Sequence, residues 1–273
     1  MLQTWQITPT KNLKFETDAS TLDEVTQRLP EGYYSTFRTF DGGRRVLGLA
    51  AHLRRLYDPI AAPEVNSSFL RQQLAVLLES IRPGEARIRA VMTRQGKVYL
   101  AIAPFALPPR EIYENGVRVE TTEIQRQHPR LKSTGFIGRS DAERKHIAQE
   151  GIFEALLVKN GKILEGMTSN FFYVVQRDGR PRLCTAGEDI LLGITCETVI
   201  EIARGRGLDV QIQPLELSQL GRIDEAFITS SSRGIVPVVR IDQARIGQGK
   251  PGPITTELME SYEAYVADKT EKI

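Results

Sequence analysis

Glu165 is the residue in this chain that most needs a chemical explanation. It ends one apolar run, is followed by Gly-Met-Thr-Ser-Asn and then by a second apolar run, all within residues 164–175 (LEGMTSNFFYVV). An ionised carboxylate flanked in this way needs a cationic or proton-donating partner, because burying the charge alone costs several kcal/mol. Other polar features along the chain could work with it. Gly193-Ile194-Thr195 stands where a loop becomes a helix whose apolar stripe is Ile194, Val199, Ile202 and Ala203. Free backbone N–H groups at such a start bind anions and Thr195 adds a hydroxyl, although the tripeptide taken alone is an ordinary threonine cap. Thr229-Ser230-Ser231-Ser232 follows the apolar strand AFI and precedes Arg233-Gly234. Its hydroxyls either donate to phosphate or carboxylate oxygens or form a solvated turn. In His52-Leu53-Arg54-Arg55-Leu56, one arginine of a helical stretch should face inward as a bidentate oxyanion clamp, and the spacing does not decide which. Lys132, within PRLKSTGF, reads by itself as a surface lysine.

The composition sets the frame for these groups. With 273 residues, 41% hydrophobic and 26% charged, the chain reads as a soluble globule able to bury a sizeable core in one large or two ordinary α/β domains. Its net charge of +2 comes from scattered basic residues and implies no nucleic-acid partner. Cys184 and Cys196 form no CxxC arrangement, so neither a disulfide framework nor a zinc or other metal site is expected. No apolar run approaches the roughly 18 residues of a membrane span, and a cytoplasmic protein with reduced thiols is expected.

Periodicity supplies the elements that must position the polar groups. Residues 33–40 alternate as a strand, Asp41-Gly42-Gly43 is a hairpin signal, and residues 49–57 show helical spacing. A second helix over 67–81 places Leu70, Leu74, Leu77, Leu78 and Ile81 on one face, and strands 86–93 and 97–104 follow. The proline-bearing stretch 106–109 is a candidate linker. Beyond it, strand 116–121 leads towards Lys132, and 140–150 is a polar helix. Strands 154–159 and 162–166 flank Asn160-Gly161, a strong hairpin signal. Helix 195–206 and strands 225–229 and 236–241 complete the reading. The division expected is a small α/β domain over 1–107, an interdomain region over 108–120 and a large domain over 121–273.

The ordered series HLRRL, LK, EALLVKNGKILEGMTSNFF, GIT opening a helix and DEAFITSSSRGIVPV strongly resembles the fold type IV pyridoxal-phosphate enzymes, across about residues 33–253. That family includes branched-chain and D-amino-acid aminotransferases, (R)-selective amine transaminases and aminodeoxychorismate lyase. The resemblance implies a two-domain α/β (α+β) fold of the D-amino-acid aminotransferase type, with pyridoxal 5′-phosphate in a cleft and a homodimer as the assembly. It implies that Lys132 forms the Schiff base with the cofactor and carries the catalytic proton. Glu165 would pair with the pyridine nitrogen, which gives the buried acid its partner. Arg55, Ile194, Thr195 and Ser231 would hold the phosphate, and Gly193, Ser169 and Asn170 belong to the same cofactor-binding set. Tyr34, Arg38, Arg89, Ser231 and Ser232 match substrate-facing positions, with a structural role open for Arg38 and Arg89.

The function implied is amino-group transfer between an amino acid or amine and a keto acid. The alternative is aminodeoxychorismate lyase, which releases pyruvate and 4-aminobenzoate with the same lysine. Three positions depart from the family's pattern: Ile137 stands where branched-chain enzymes carry a tyrosine, Cys196 where an arginine often follows GIT, and Arg233 where an acidic residue often follows the hydroxyls. These departures leave the cofactor set intact and the substrate open.

Overall fold

Strand Gly32–Phe40 largely alternates in burial, whereas Ala86–Thr93 is buried at every position but Arg87, as a strand covered on both faces is. In the computed structural model, which describes residues 1–273, the chain falls into two units. The first comprises Met1–Leu107, Leu131–Arg139 and Val266–Ile273. Its antiparallel sheet runs in the order Glu271–Lys272, Arg45–Val46, Gly32–Phe40, Ala86–Thr93, Val98–Pro104, Gln3–Ile7, Asn12–Lys14. Phe37, Ile88, Ala90, Met92, Leu100 and Ile102 from this sheet form one core with Leu49, Leu53 and Leu56 of helix Leu49–Tyr57 and Leu70, Leu74, Leu77 and Leu78 of helix Ser67–Leu78. Asn66 caps the second helix by accepting from Phe69 N at 2.8 Å. That helix ends at Leu78, short of the expected Ile81, where the Ser80 hydroxyl turns back to the Leu77 carbonyl.

The lysine segment belongs to this first unit, which differs from the expected division at 107 and 121. Tyr34 N donates to Lys132 O at 2.9 Å, Thr134 N to Gly32 O at 2.9 Å, and Gly32 N to Thr134 Oγ1 at 3.0 Å. Residues 132–134 thus add a short strand-like segment to the edge of Gly32–Phe40, through an antiparallel bridge of Tyr33 with Ser133. The C-terminal residues join the same sheet, Glu271 opposite Val46. Such partners lie far away in sequence, and no local pattern announces them.

The second unit is Pro108–Arg130 and Ser140–Tyr265. The stretch expected as a linker is regular here: helix Arg110–Asn115 and strand Val117–Thr122, the latter inside the second sheet. Along that sheet Asn170–Arg177, Glu225–Ser230, Gly234–Ile241, Val117–Thr122, Glu154–Lys159 and Lys162–Gly166 are successive neighbours. Asn170 then pairs with Glu165, which joins the last of these strands to the first and closes them into a barrel. Asn160 and Gly161 both take positive φ, 51° and 73°, the conformation a tight two-residue hairpin needs. Val119, Leu156, Ile163, Phe171, Ile228 and Val236 belong to one buried cluster. No helix is long and apolar enough to cross a membrane.

Gly32 has no room for a side chain: a Cβ there would sit 2.0 Å from the Met92 carbonyl oxygen. Gly32→Ala should therefore destabilise the protein by at least about 2 kcal/mol in a urea unfolding curve, since the obstacle is backbone and cannot rotate away.

Candidate active site

In the first unit the site begins on helix Leu49–Tyr57. His52 and Leu56 are buried, Arg54 is exposed and Arg55 is half-buried, so the structure settles which arginine turns inward. His52 lies one helical turn before Arg55, and its Nδ1 is 2.8 Å from the Ser35 hydroxyl. Burial, and then the positive charges of Arg55 and Lys132, hold His52 well below its ordinary pKa of 6.5, so the ring is neutral. Lys132 Nζ sits 5.1 Å from the centre of the Tyr34 ring. Tyr34 packs with Val91 and with Ile137.

Arg89 is also near this ring, its Cζ 4.8 Å from the Tyr34 centre, but its guanidinium is engaged. It pairs with Asp23 and donates to Thr36 Oγ1 at 3.1 Å and Thr26 Oγ1 at 3.3 Å. With 5% exposure, Arg89 acts here as a structural tie between strand and helix. Arg38 lies across from Arg87 and stacks on Phe40, its Cζ 4.2 Å from the ring centre.

In the second unit Glu165 is 2% exposed and has a partner that the sequence did not reveal. Arg126 Nε donates to Glu165 Oε1 at 2.9 Å, while Nη2 donates to the Met167 carbonyl at 2.7 Å. The other carboxylate oxygen, Oε2, accepts from Leu191 N at 3.2 Å. Arg126 precedes Lys132 in a stretch without periodicity, and no spacing signal could have matched it to an acid 39 residues on.

Asn170 ties the Glu165 turn to the loop before the next helix. Its amide donates to Leu191 O at 2.8 Å and its oxygen accepts from Gly193 N at 3.1 Å. A Cβ on Gly193 would fall 2.2 Å from that oxygen, which is why glycine stands there. Gly193 is the N-cap of helix Ile194–Gly205 and no side chain caps it, so Thr195 is not the cap that the tripeptide alone suggested. The first-turn N–H groups point out of the helix, a natural anion site. Cys196 in that turn is buried. Burial, then the charges of Glu197 and Glu165, push its thiol up to about 12, so it stays protonated. At the end of strand Glu225–Ser230, Thr229 pairs across from Asn170, and its hydroxyl is buried without a hydrogen-bond partner. Ser231 is half-buried and Ser232 buried in the turn that follows.

The model of the family described as amino-transferase class IV matches residues 32–241. The chain belongs to that family. A Methanocaldococcus jannaschii protein provisionally named a branched-chain-amino-acid aminotransferase is 30% identical, over 85% of this chain and 86% of its own. The D-alanine aminotransferase of Bacillus licheniformis is 28% identical over 89% and 90%. A Thermotoga maritima crystal structure, provisionally titled a branched-chain amino acid aminotransferase, superposes with a TM-score of 0.79 at 27% identity, covering 98% of this chain and 96% of that one. The chain is thus a class IV aminotransferase with the fold of that class, and enzymes of this class use pyridoxal 5′-phosphate.

The aminotransferase's own residues fit such a group. A buried strand-end carboxylate, an uncapped helix start and an orphaned buried hydroxyl in one unit are donors and acceptors that a phosphorylated pyridine would satisfy. Ser169 and Asn170, expected to touch the cofactor, hydrogen-bond through their side chains within the protein, Ser169 to Glu154 and Asn170 to residues 191–193.

Two outcomes follow for stability. Arg126→Ala leaves Glu165 buried without its cation and should cost about 3–5 kcal/mol, read as a fall in the urea midpoint. His52 is neutral when folded, whereas the unfolded chain takes up a proton near pH 6.5. Its contribution to stability is therefore complete above that pH and is lost as pH falls below it. The wild-type advantage over His52→Gln should shrink from about pH 8 to about pH 5, by at most about 1.4 kcal/mol per pH unit, and a constant difference would contradict this.

Proposed function

We propose that this aminotransferase binds pyridoxal 5′-phosphate through Lys132 and moves an amino group between an α-amino acid and a keto acid. The observation that carries the reading is the placement of Lys132: its backbone is paired to strand Gly32–Phe40 and its amine is held over Tyr34, near Arg55 and a neutral His52. Bound there, the cofactor supplies an aldehyde for covalent linkage to an amine and a ring that takes up the electron pair released at the substrate α-carbon.

The chain's residues do the rest. Lys132 Nζ would hold the cofactor's aldehyde covalently and, as a neutral free amine, would be the base that takes the substrate α-proton and delivers it to the carbon on the far side of the amino nitrogen. Glu165, ion-paired with Arg126, would face the pyridine nitrogen and favour a proton there. Arg55, the first-turn N–H groups of Ile194 and Thr195, the Thr195 hydroxyl and Ser231 bind the phosphate. Ser231 and Ser232 hold the substrate carboxylate through backbone N–H groups, and Tyr34 borders the reacting amine. The names of the relatives point to branched-chain and D-alanine donors as the first to try. A cytoplasmic homodimer belongs to the same reading.

Lys132→Ala should fold, lose the visible absorption of the lysine-linked cofactor and show no turnover; an active variant would sink the proposal. In wild type, an amino donor should convert the cofactor spectrum to that of the pyridoxamine form. Pyruvate release from aminodeoxychorismate without that conversion would establish the lyase instead.

A further inference from the structure

We infer that Arg233 is a positioning residue, which fastens the hydroxyl turn to the turn after Glu165 and so sets the grip on the cofactor's phosphate; this rests on the cofactor reading above. Glu154, at the start of strand Glu154–Lys159, is 1% exposed and its carboxylate gathers donors from two loops. Thr168 Oγ1 donates to Oε2 at 2.5 Å and Ser169 Oγ at 3.1 Å, both from the turn between Glu165 and Asn170. Arg233 Nη2 donates to the same oxygen at 3.0 Å and to Thr168 Oγ1 at 2.7 Å. On its other side Arg233 Nε donates to Ser230 Oγ at 3.1 Å, and the guanidinium lies over Phe153, 5.1 Å from the ring centre. Tyr113 then holds the Arg233 carbonyl at 2.9 Å. One guanidinium thus joins both ends of the arrangement, with Ser231 and Ser232 suspended between Ser230 and Arg233.

The charge makes sense of the departure seen in the sequence. A buried Glu154 serves as an anchor for two hydroxyls when a cation stands beside it, and an acid at 233 would set two carboxylates against each other. Arg233 at 20% side-chain exposure is shielded enough for that attraction to matter. Arginine also offers the fork that reaches Glu154, Thr168 and Ser230 at once, which the single ammonium of a lysine does less well.

The test compares how the apo-enzyme binds pyridoxal 5′-phosphate and pyridoxal, which lacks the phosphate, by titrating the visible absorption. In Arg233→Met the preference for the phosphorylated compound should fall by about tenfold or more, the order of one hydrogen bond to a charged group, with the absorption maximum unchanged. Arg233→Lys should recover part of it, and Glu154→Gln, which keeps volume and hydrogen-bonding capacity, should lose it to a smaller degree. A wild-type preference ratio in Arg233→Met, or equal loss of affinity for both compounds, overturns the inference. If Arg233→Met does not fold, Glu154→Gln decides by the same ratio. A wild-type chain that binds neither compound would instead overturn the cofactor reading.

Discussion

The second unit depends on one point, the pairing of Asn170 with Glu165 that closes the barrel. A sheet that ends in free edges must cover them, and closure removes the problem at the price of a sharp reversal between the joined strands. That reversal is Gly166-Met167-Thr168-Ser169. It brings a buried carboxylate, the amide that clamps residues 191–193 and the hydroxyls that reach Glu154 to one end of the barrel. Gly166 is part of this constraint, since a Cβ there would lie 2.1 Å from Ser169 Oγ. Arg126 then makes the buried acid tolerable, supplying the charge partner and a bond to the Met167 carbonyl.

Much of this could be read from the chain. The hairpins at Asp41-Gly42-Gly43 and Asn160-Gly161 and the helix over Leu49–Tyr57 follow from turn chemistry and period, because their signals are local. The ordered blocks around Arg55, Lys132, Glu165, Thr195 and Ser231 pointed to the class by resemblance, and the class is what the family match shows. Arg126 was invisible because a buried ion pair leaves no periodic trace. Ser169 and Asn170, which the resemblance placed in the cofactor set, turn their side chains to Glu154 and to residues 191–193, contacts of long sequence separation that no local pattern announces.

The domain boundary shows the same limit at larger scale. Composition placed a break near residue 107, and the first unit does end a segment at Leu107. What composition could not show is that Leu131–Arg139 and Val266–Ile273 return to it, since their pairing is decided by backbone hydrogen bonds to Gly32 and Tyr34 and to Arg45 and Val46. Substrate-facing positions suffer likewise. Arg89 looks like a clamp by residue type, yet Asp23, a residue in another element, has claimed it.

The stitching of residues 132–134 to the Gly32 strand has a consequence for how the protein is made. A ribosome that has released residues 1–107 has delivered most of the first sheet but neither the 132–134 segment nor the edge strand at 271–272. Contacts of such long sequence separation form late and slowly, because loop closure must precede them. The chain therefore sets Lys132 beside the Gly32 strand only after residues 108–131, which hold one strand of the second sheet, have been made, and its first sheet gains the strand at 271–272 only when the whole barrel has been synthesised.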